Sequence, residues 1–192
     1  MTYQYANKFI ALGLLLSLLT GCGTLLATFE TDTIDEDPGK RTIAQQVEDE
    51  SIETKAIVNI RALDSAFDEA NLVAVAYNGF VLIAGQVSKQ DLKDQVPNVL
   101  RKIAGVRRIY NELEVRPNAS TEVHANDVWL TTQVKSKLLI TSDTPSTRVK
   151  VVTENSVVYL MGLLTPEEAD RVADVAASIN GVSRVVRLFE LI

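Results

Sequence analysis

Residues 78–85 read NGFVLIAG, and residues 155–162 read NSVVYLMG. Each stretch is a turn-forming pair followed by a run of mostly β-branched, aliphatic and aromatic residues that ends in glycine, a pattern typical of a strand entered from a tight turn. The two stretches lie 77 residues apart, and AGVRRI at 104–109 matches NGVSRV at 180–185 at a spacing of 76. Spacings that differ by one residue across loops are expected of a duplicated unit. The sequence therefore predicts two copies of one domain.

Both copies share a predicted element order of helix, strand, strand, helix, strand. Apolar residues at helical spacing precede the first strand of each copy, at Ile52, Ala56 and Ile60 and again at Leu130, Val134 and Leu138. Asn78-Gly79 suits the positive φ values of a two-residue hairpin turn. The fold class that follows is α+β, with two tandem α-β-β-α-β units.

Two local features refine this prediction. Pro97 falls inside the second helix of the first copy, where it predicts either a kink or a helix that starts near Gln95. Asn126 or Asp127 is predicted to cap the first helix of the second copy.

The N-terminus has the features of an export signal. Lys8 precedes an eleven-residue apolar run, whose length as a helix of about 16 Å is too short for the ~30 Å hydrocarbon core of a bilayer. The run ends in LTGC at residues 19–22, which resembles a bacterial lipobox and implies acylation of Cys22. A plain secretory peptide with an incidental cysteine is the alternative. By the sorting rule known for such lipoproteins, Gly23 implies the outer membrane and its periplasmic face.

These features divide the chain into five segments. We predict a lipoprotein signal peptide, an acidic flexible tether, a first domain, a linker and a second domain, at residues 1–21, 22–46, 47–116, 117–125 and 126–192.

Composition excludes several classes of function. One cysteine rules out an internal disulfide framework and a thiolate zinc cluster, and one histidine rules out a multi-histidine metal site. The net charge of −6 argues against nucleic-acid binding. His124 is predicted to be a solvated linker residue, so we expect no catalytic residue, no metal site and no cofactor. A carboxylate-based cell-wall hydrolase is a remote alternative.

The lone tryptophan marks a candidate lipid-binding surface. On a helical wheel with Leu130 at 0°, Trp129 falls at about 260° and Ile140 at about 280°, away from the predicted core. The first copy has Ser51 at the position of Trp129. Tryptophan favours membrane interfaces, and nearby basic residues favour anionic lipid. Packing of Trp129 against the first copy or the linker is the alternative. The predicted lipid-binding residues are Trp129, Gln133, Lys135, Ser136, Lys137, Ile140 and Arg148.

Four segments carry a resemblance to a known family: GVRRIYNEL at 105–113, NDVWLTT at 126–132, VKVVTEN at 149–155 and VYLMGL at 158–163. With the lipobox, they resemble dual-BON-domain outer-membrane lipoproteins, the family of the division- and outer-membrane-stress-associated lipid-binding protein. The resemblance implies two BON domains, each with a small three-stranded mixed sheet packed against two helices.

The resemblance also implies a function. The family implies a non-catalytic, acylated protein on the periplasmic face of the outer membrane, which binds anionic phospholipid through its second domain and supports outer-membrane integrity. Phosphatidylglycerol and cardiolipin are the expected lipids. The alternative is a periplasmic adaptor for outer-membrane assembly, cell-wall or division-site proteins, with lipid contact incidental. Pro97 and Ser156 depart from the family pattern and affect the expected local geometry.

Overall fold

A computed structural model describes Asp37 and residues 39–192 of the chain. The predicted signal peptide, Cys22 and most of the predicted tether lie outside the described residues. The first copy contains α1 (Ile43–Arg61), β1 (Asn71–Tyr77), β2 (Phe80–Val87), α2 (Gln90–Leu100) and β3 (Arg108–Val115). The second contains α3 (Thr121–Ile140), β4 (Val149–Glu154), β5 (Val157–Leu164), α4 (Pro166–Ala177) and β6 (Arg184–Leu191). The predicted element order and α+β class are confirmed in both copies.

Each copy forms a three-stranded mixed sheet with its second strand in the centre. The first two strands are antiparallel, and the third pairs with the central strand in parallel. Both hairpin turns have two residues at positive φ: Asn78 at 50° and Gly79 at 75°, then Asn155 at 51° and Ser156 at 62°. This is the turn that matches the twist of a hairpin, and the second copy builds it without glycine.

The two domains pack as four layers, helix, sheet, sheet, helix. One face of the first sheet packs against α1 and α2 through residues that include Val81, Ile83 and Leu113. The opposite face, with Leu82 and Ala84, packs against the second sheet. Successive residues of a strand point to opposite faces, so β2 and β5 must be apolar on both, and β2 is buried throughout. The second sheet meets α3 and α4 in the same way.

Two helices begin before the predicted starts of their domains. The helix α1 begins at Ile43, capped by Thr42, so the tether predicted to end at residue 46 overlaps the helix. The helix α3 begins at Thr121 with Ser120 as N-cap, so it includes residues 121–125 of the predicted linker. Asn126 and Asp127 therefore lie inside α3 and do not cap it, because helical geometry starts earlier than the apolar periodicity indicates.

Pro97 is accommodated inside α2, which runs from Gln90 to Leu100, so the predicted start near Gln95 is wrong. Proline has no N–H to donate to the carbonyl four residues back, which belongs to Lys93. The side-chain amide of Asn111 on β3 donates to that carbonyl at 2.7 Å instead. A tertiary contact thus replaces the missing helical hydrogen bond.

Polar contacts close the edges of the seam between the two sheets. Arg107, which precedes β3, makes two hydrogen bonds to Glu190 of β6, at 2.6 and 2.8 Å. Lys150 of β4 ion-pairs with Glu53 of α1 at 2.6 Å. Glu154 accepts hydrogen bonds from Gln86 at 2.7 Å and from Asn71 at 3.1 Å. Side chains from both copies therefore fix the register of the sheet-on-sheet contact.

The Arg107–Glu190 pair predicts a small pH-dependent stabilisation. The hydrogen bond from Arg107 holds the pKa of Glu190 below its usual value. A lowered folded-state pKa gives stability that is present above the unfolded pKa and is lost as pH falls through the folded pKa. We expect Glu190→Gln to lower the free energy of unfolding by about 0.5 kcal/mol at neutral pH, since the pair is partly exposed. Urea denaturation of both proteins at neutral and acidic pH measures this effect. If Glu190→Gln changed the free energy of unfolding equally at the two pH values, the stabilisation would not come from the charge of Glu190.

Candidate functional site

The helix α3 exposes a large apolar surface. Trp129 is 51% exposed and Ile140 is 82% exposed, and Val128 and Leu139 are also exposed. Gln133 and Ser136 lie between them on the outer side of the helix and are exposed as well. We call this set the Trp129 face; it consists of Val128, Trp129, Gln133, Ser136, Leu139 and Ile140.

The inner side of α3 explains why these residues point outward. Leu130, Val134 and Leu138 are fully buried, and they recur every four residues along one stripe of the helix. Packing of that stripe against the second sheet fixes the rotation of α3. The Trp129 ring lies near Gly181 of its own domain. Among the described residues, the apolar cluster between the two sheets does not include Trp129.

The corresponding helix of the first copy exposes Ile43, Val47 and Val58, but none of them matches a large apolar residue of the Trp129 face. The four large apolar residues of the Trp129 face occupy the positions that α1 fills with Glu50, Ser51, Arg61 and Ala62. Because the two copies share one core pattern, a difference confined to an exposed face is unrelated to folding of the domain. The Trp129 face is therefore a specialised feature of the second copy.

The basic residues that we predicted beside this surface are only partly available. Lys135 is exposed on α3, and Lys137 donates to the Ser178 hydroxyl at 2.7 Å. The guanidinium of Arg148 is largely buried and ion-pairs with Glu168. Lys135 and Lys137 therefore lie on α3 with the Trp129 face, whereas the charge of Arg148 is engaged by Glu168. The spacing of residues along α3 was enough to place Lys135 and Lys137 on this helix. The ion pair of Arg148 with Glu168 could not be predicted in this way, because it depends on the tertiary fold.

Two buried aspartates, which sequence analysis missed as structural residues, tie each first helix to its hairpin. Asp49 of α1 accepts hydrogen bonds from the backbone N–H groups of Asn78 at 2.8 Å and Gly79 at 2.9 Å. Asp127 of α3 accepts the same pair from Asn155 and Ser156, both at 2.8 Å. The sequence did contain a sign of this role. Asp49 and Asp127 occupy equivalent positions in the two repeats, and each lies on the buried side of its helix.

His124, Asp127 and Glu154 form a second cluster near the start of α3. One side-chain ligand atom from each residue lies within 4.8 Å of the other two. Asp127 and Glu154 are buried and His124 is half-buried. Burial is the main cause that raises the pKa of Glu154, and the charge of Asp127 adds to it. The prediction that His124 is a solvated linker residue is wrong, because α3 begins before it and turns it toward the two carboxyl groups.

None of the helices in the described part of the chain has both the length and the apolar character needed to cross a bilayer.

Comparisons with known proteins agree with the architecture. The BON domain family matches residues 43–117 and again residues 126–192. Outer membrane lipoprotein DolP of Haemophilus influenzae is 38% identical over 170 residues, which cover 88% of this chain and 84% of that protein. The 21 kDa hemolysin of Actinobacillus pleuropneumoniae is 36% identical over 152 residues, which cover 79% and 78%. Osmotically-inducible protein Y of Escherichia coli is 26% identical over 189 residues, which cover 91% and 90%.

Proposed function

Because the chain belongs to the BON-domain family of outer-membrane lipoproteins, we propose that it binds anionic phospholipid through the Trp129 face and so supports the integrity of the outer membrane. The role is non-catalytic. The lipid would be phosphatidylglycerol or cardiolipin, and acyl chains on Cys22 would hold the protein at the periplasmic side of the membrane.

The exposed apolar surface around Trp129 on α3 is the observation that carries this proposal. Monomeric proteins rarely leave adjacent large apolar side chains in water unless they meet a partner or a membrane. A tryptophan is suited to the headgroup region, where its ring meets acyl chains and its N–H meets water. Gln133 and Ser136, on the same side of α3, add polar groups that suit the headgroup region. The face therefore matches a lipid interface better than a fully apolar pocket.

Charge adds a second, smaller contribution. Lys135 and Lys137 lie on α3, and each basic residue near an anionic bilayer contributes about 1 kcal/mol. The chain as a whole carries a net charge of −6, so the attraction is local and falls with added salt. We expect anionic vesicles to be preferred over neutral ones by a modest factor that shrinks as ionic strength rises.

The experiment is vesicle flotation with residues 38–192, which form one compact unit without the acyl anchor. We expect Trp129→Glu to weaken binding to phosphatidylglycerol or cardiolipin vesicles by about 30-fold or more. The physical reason is loss of roughly 2 kcal/mol of apolar burial, which equals about 30-fold in affinity, together with repulsion of the new charge.

Val58→Glu is the matched control, since Val58 is a similarly exposed apolar residue on the corresponding helix of the first copy. It introduces the same charge and should leave vesicle binding unchanged. Circular dichroism checks that both variants are folded. Equal vesicle binding by folded Trp129→Glu and the unchanged protein would overturn the site. Absence of vesicle binding by the unchanged protein would favour the alternative, a periplasmic adaptor that binds proteins through this face.

A further inference from the structure

We propose that His124, Asp127 and Glu154 form a binding site for a divalent transition-metal ion, best matched by Zn²⁺, at the seam between the two domains. One ligand atom from each lies within 4.8 Å of the others. Sequence analysis predicted no metal site and placed His124 in a solvated linker. This site is separate from the lipid surface, and neither proposal depends on the other.

The backbone fixes two of the three ligands relative to each other. His124 and Asp127 are three residues apart on α3, so their side chains project from the same side of the helix. Glu154 is the last residue of β4, directly before the hairpin turn. Asp127 holds that turn through both of its backbone N–H groups, and this contact keeps the strand end beside α3.

The ligands retain unused coordinating capacity. Glu154 is only 6% exposed, and its Oε1 accepts both hydrogen bonds, from Gln86 and Asn71. No hydrogen bond reaches Glu154 Oε2 or the imidazole of His124 from any described residue. Asp127 is 4% exposed, and its two oxygens keep lone pairs beyond those used by the hairpin. Two buried carboxylates beside an unbonded imidazole favour a cation, because buried charges are normally paired or coordinate a metal.

Comparison of the two copies supports this reading of the charges. In the first copy Asp49 pairs with the guanidinium of Arg41 at 2.6 Å. The residue at the matching position of the second copy is Ala119, so Asp127 has no such cation. The positions of His124 and Glu154 are taken in the first copy by Gln46 and Tyr77, which are poor metal ligands. The second copy therefore lacks the positive charge that Arg41 supplies in the first and has two metal-ligating groups around the equivalent aspartate.

The donor set selects the type of ion. One imidazole nitrogen with two carboxylate oxygens suits Zn²⁺, whereas Ca²⁺ and Mg²⁺ prefer oxygen alone. Zinc bonds of about 2.0–2.2 Å place tetrahedral ligands about 3.4 Å apart. Rotation about side-chain bonds would close the remaining gap, and a water molecule would take the fourth position. An ion there would join α3, the hairpin and, through Glu154, the first domain.

The test is zinc titration of the full-length chain in detergent by isothermal calorimetry, after treatment with a chelator. We expect one saturable Zn²⁺ per chain, and we expect His124→Ala to weaken its binding by about tenfold or more. Alanine favours helix, so this variant should stay folded. Zinc should also raise the melting temperature of the unchanged protein and not that of His124→Ala.

Glu122→Gln is the control, because it removes a carboxylate from the same helix outside the cluster. It should bind zinc as the unchanged protein does. Equal zinc affinity in folded His124→Ala would overturn the site and assign the binding to surface carboxylates. Lack of saturable zinc binding by the unchanged protein would overturn it as well.

Discussion

Asp49→Ala is expected to lower the free energy of unfolding by about 3 kcal/mol or more. The Asp49 carboxylate is buried and accepts three hydrogen bonds, two from the hairpin backbone and one from Arg41. Its removal leaves two backbone N–H groups and a guanidinium without their acceptor. Each buried hydrogen-bond donor left unpaired costs about 1–3 kcal/mol. Removing one partner of a buried ion pair also lowers the free energy of unfolding, by about 3 kcal/mol when the remaining charge stays buried.

Urea denaturation followed by circular dichroism measures this effect. Glu50→Ala is the control, since Glu50 is the exposed neighbour on the same helix and its loss should change the free energy of unfolding by less than about 0.5 kcal/mol. A similar small loss for Asp49→Ala would show that the hairpin does not depend on the carboxylate.

Gly85→Ala is expected to destabilise the protein by about 3 kcal/mol. Gly85 lies in β2 at φ +120°, a conformation that residues with a Cβ rarely adopt. A Cβ there would lie 1.9 Å from the backbone oxygen of Asn71. The obstacle is backbone of the paired strand β1, so a side-chain rotation cannot relieve it. Both the strain and the forced displacement of β1 act against folding.

Gly162→Ala is the matched control, because Gly162 is the equivalent residue of the second copy. Its Cβ would lie 2.7 Å from the backbone oxygen of Arg148, and its φ is outside the left-handed region. We therefore expect a smaller loss of stability than for Gly85→Ala, measured by the same denaturation experiment. Equal losses in the two variants would refute the role given to the backbone conformation of Gly85.

Local sequence patterns were enough to predict the order of helices and strands. The element order follows from apolar periodicity and from Asn78-Gly79, which act within a few residues. Trp129 and Ile140 were placed off the core face by helical geometry alone, and both are exposed. Because the chain is a repeat, Trp129 could be compared with Ser51 at the equivalent position of the first copy. That difference indicated that Trp129 belongs to the surface and not to the core that the copies share.

Contacts between distant residues were beyond such patterns. The sequence does not reveal that Glu168 neutralises Arg148, or that Gln86 of one domain reaches Glu154 of the other. The start of α3 was misplaced because residues before the apolar stripe have no partner in the core and so leave no periodic signal. That error hid His124 from the cluster that it forms with Asp127 and Glu154.

The face-to-face packing of the two sheets has a consequence for truncation of the chain. Leu82 and Met161 are fully buried in the contact between the copies, so loss of either copy would expose them to water. Deletion of either half of the chain is therefore costly to the half that remains. The exposed helix faces carry no such constraint, and there the second copy has a tryptophan where the first has a serine.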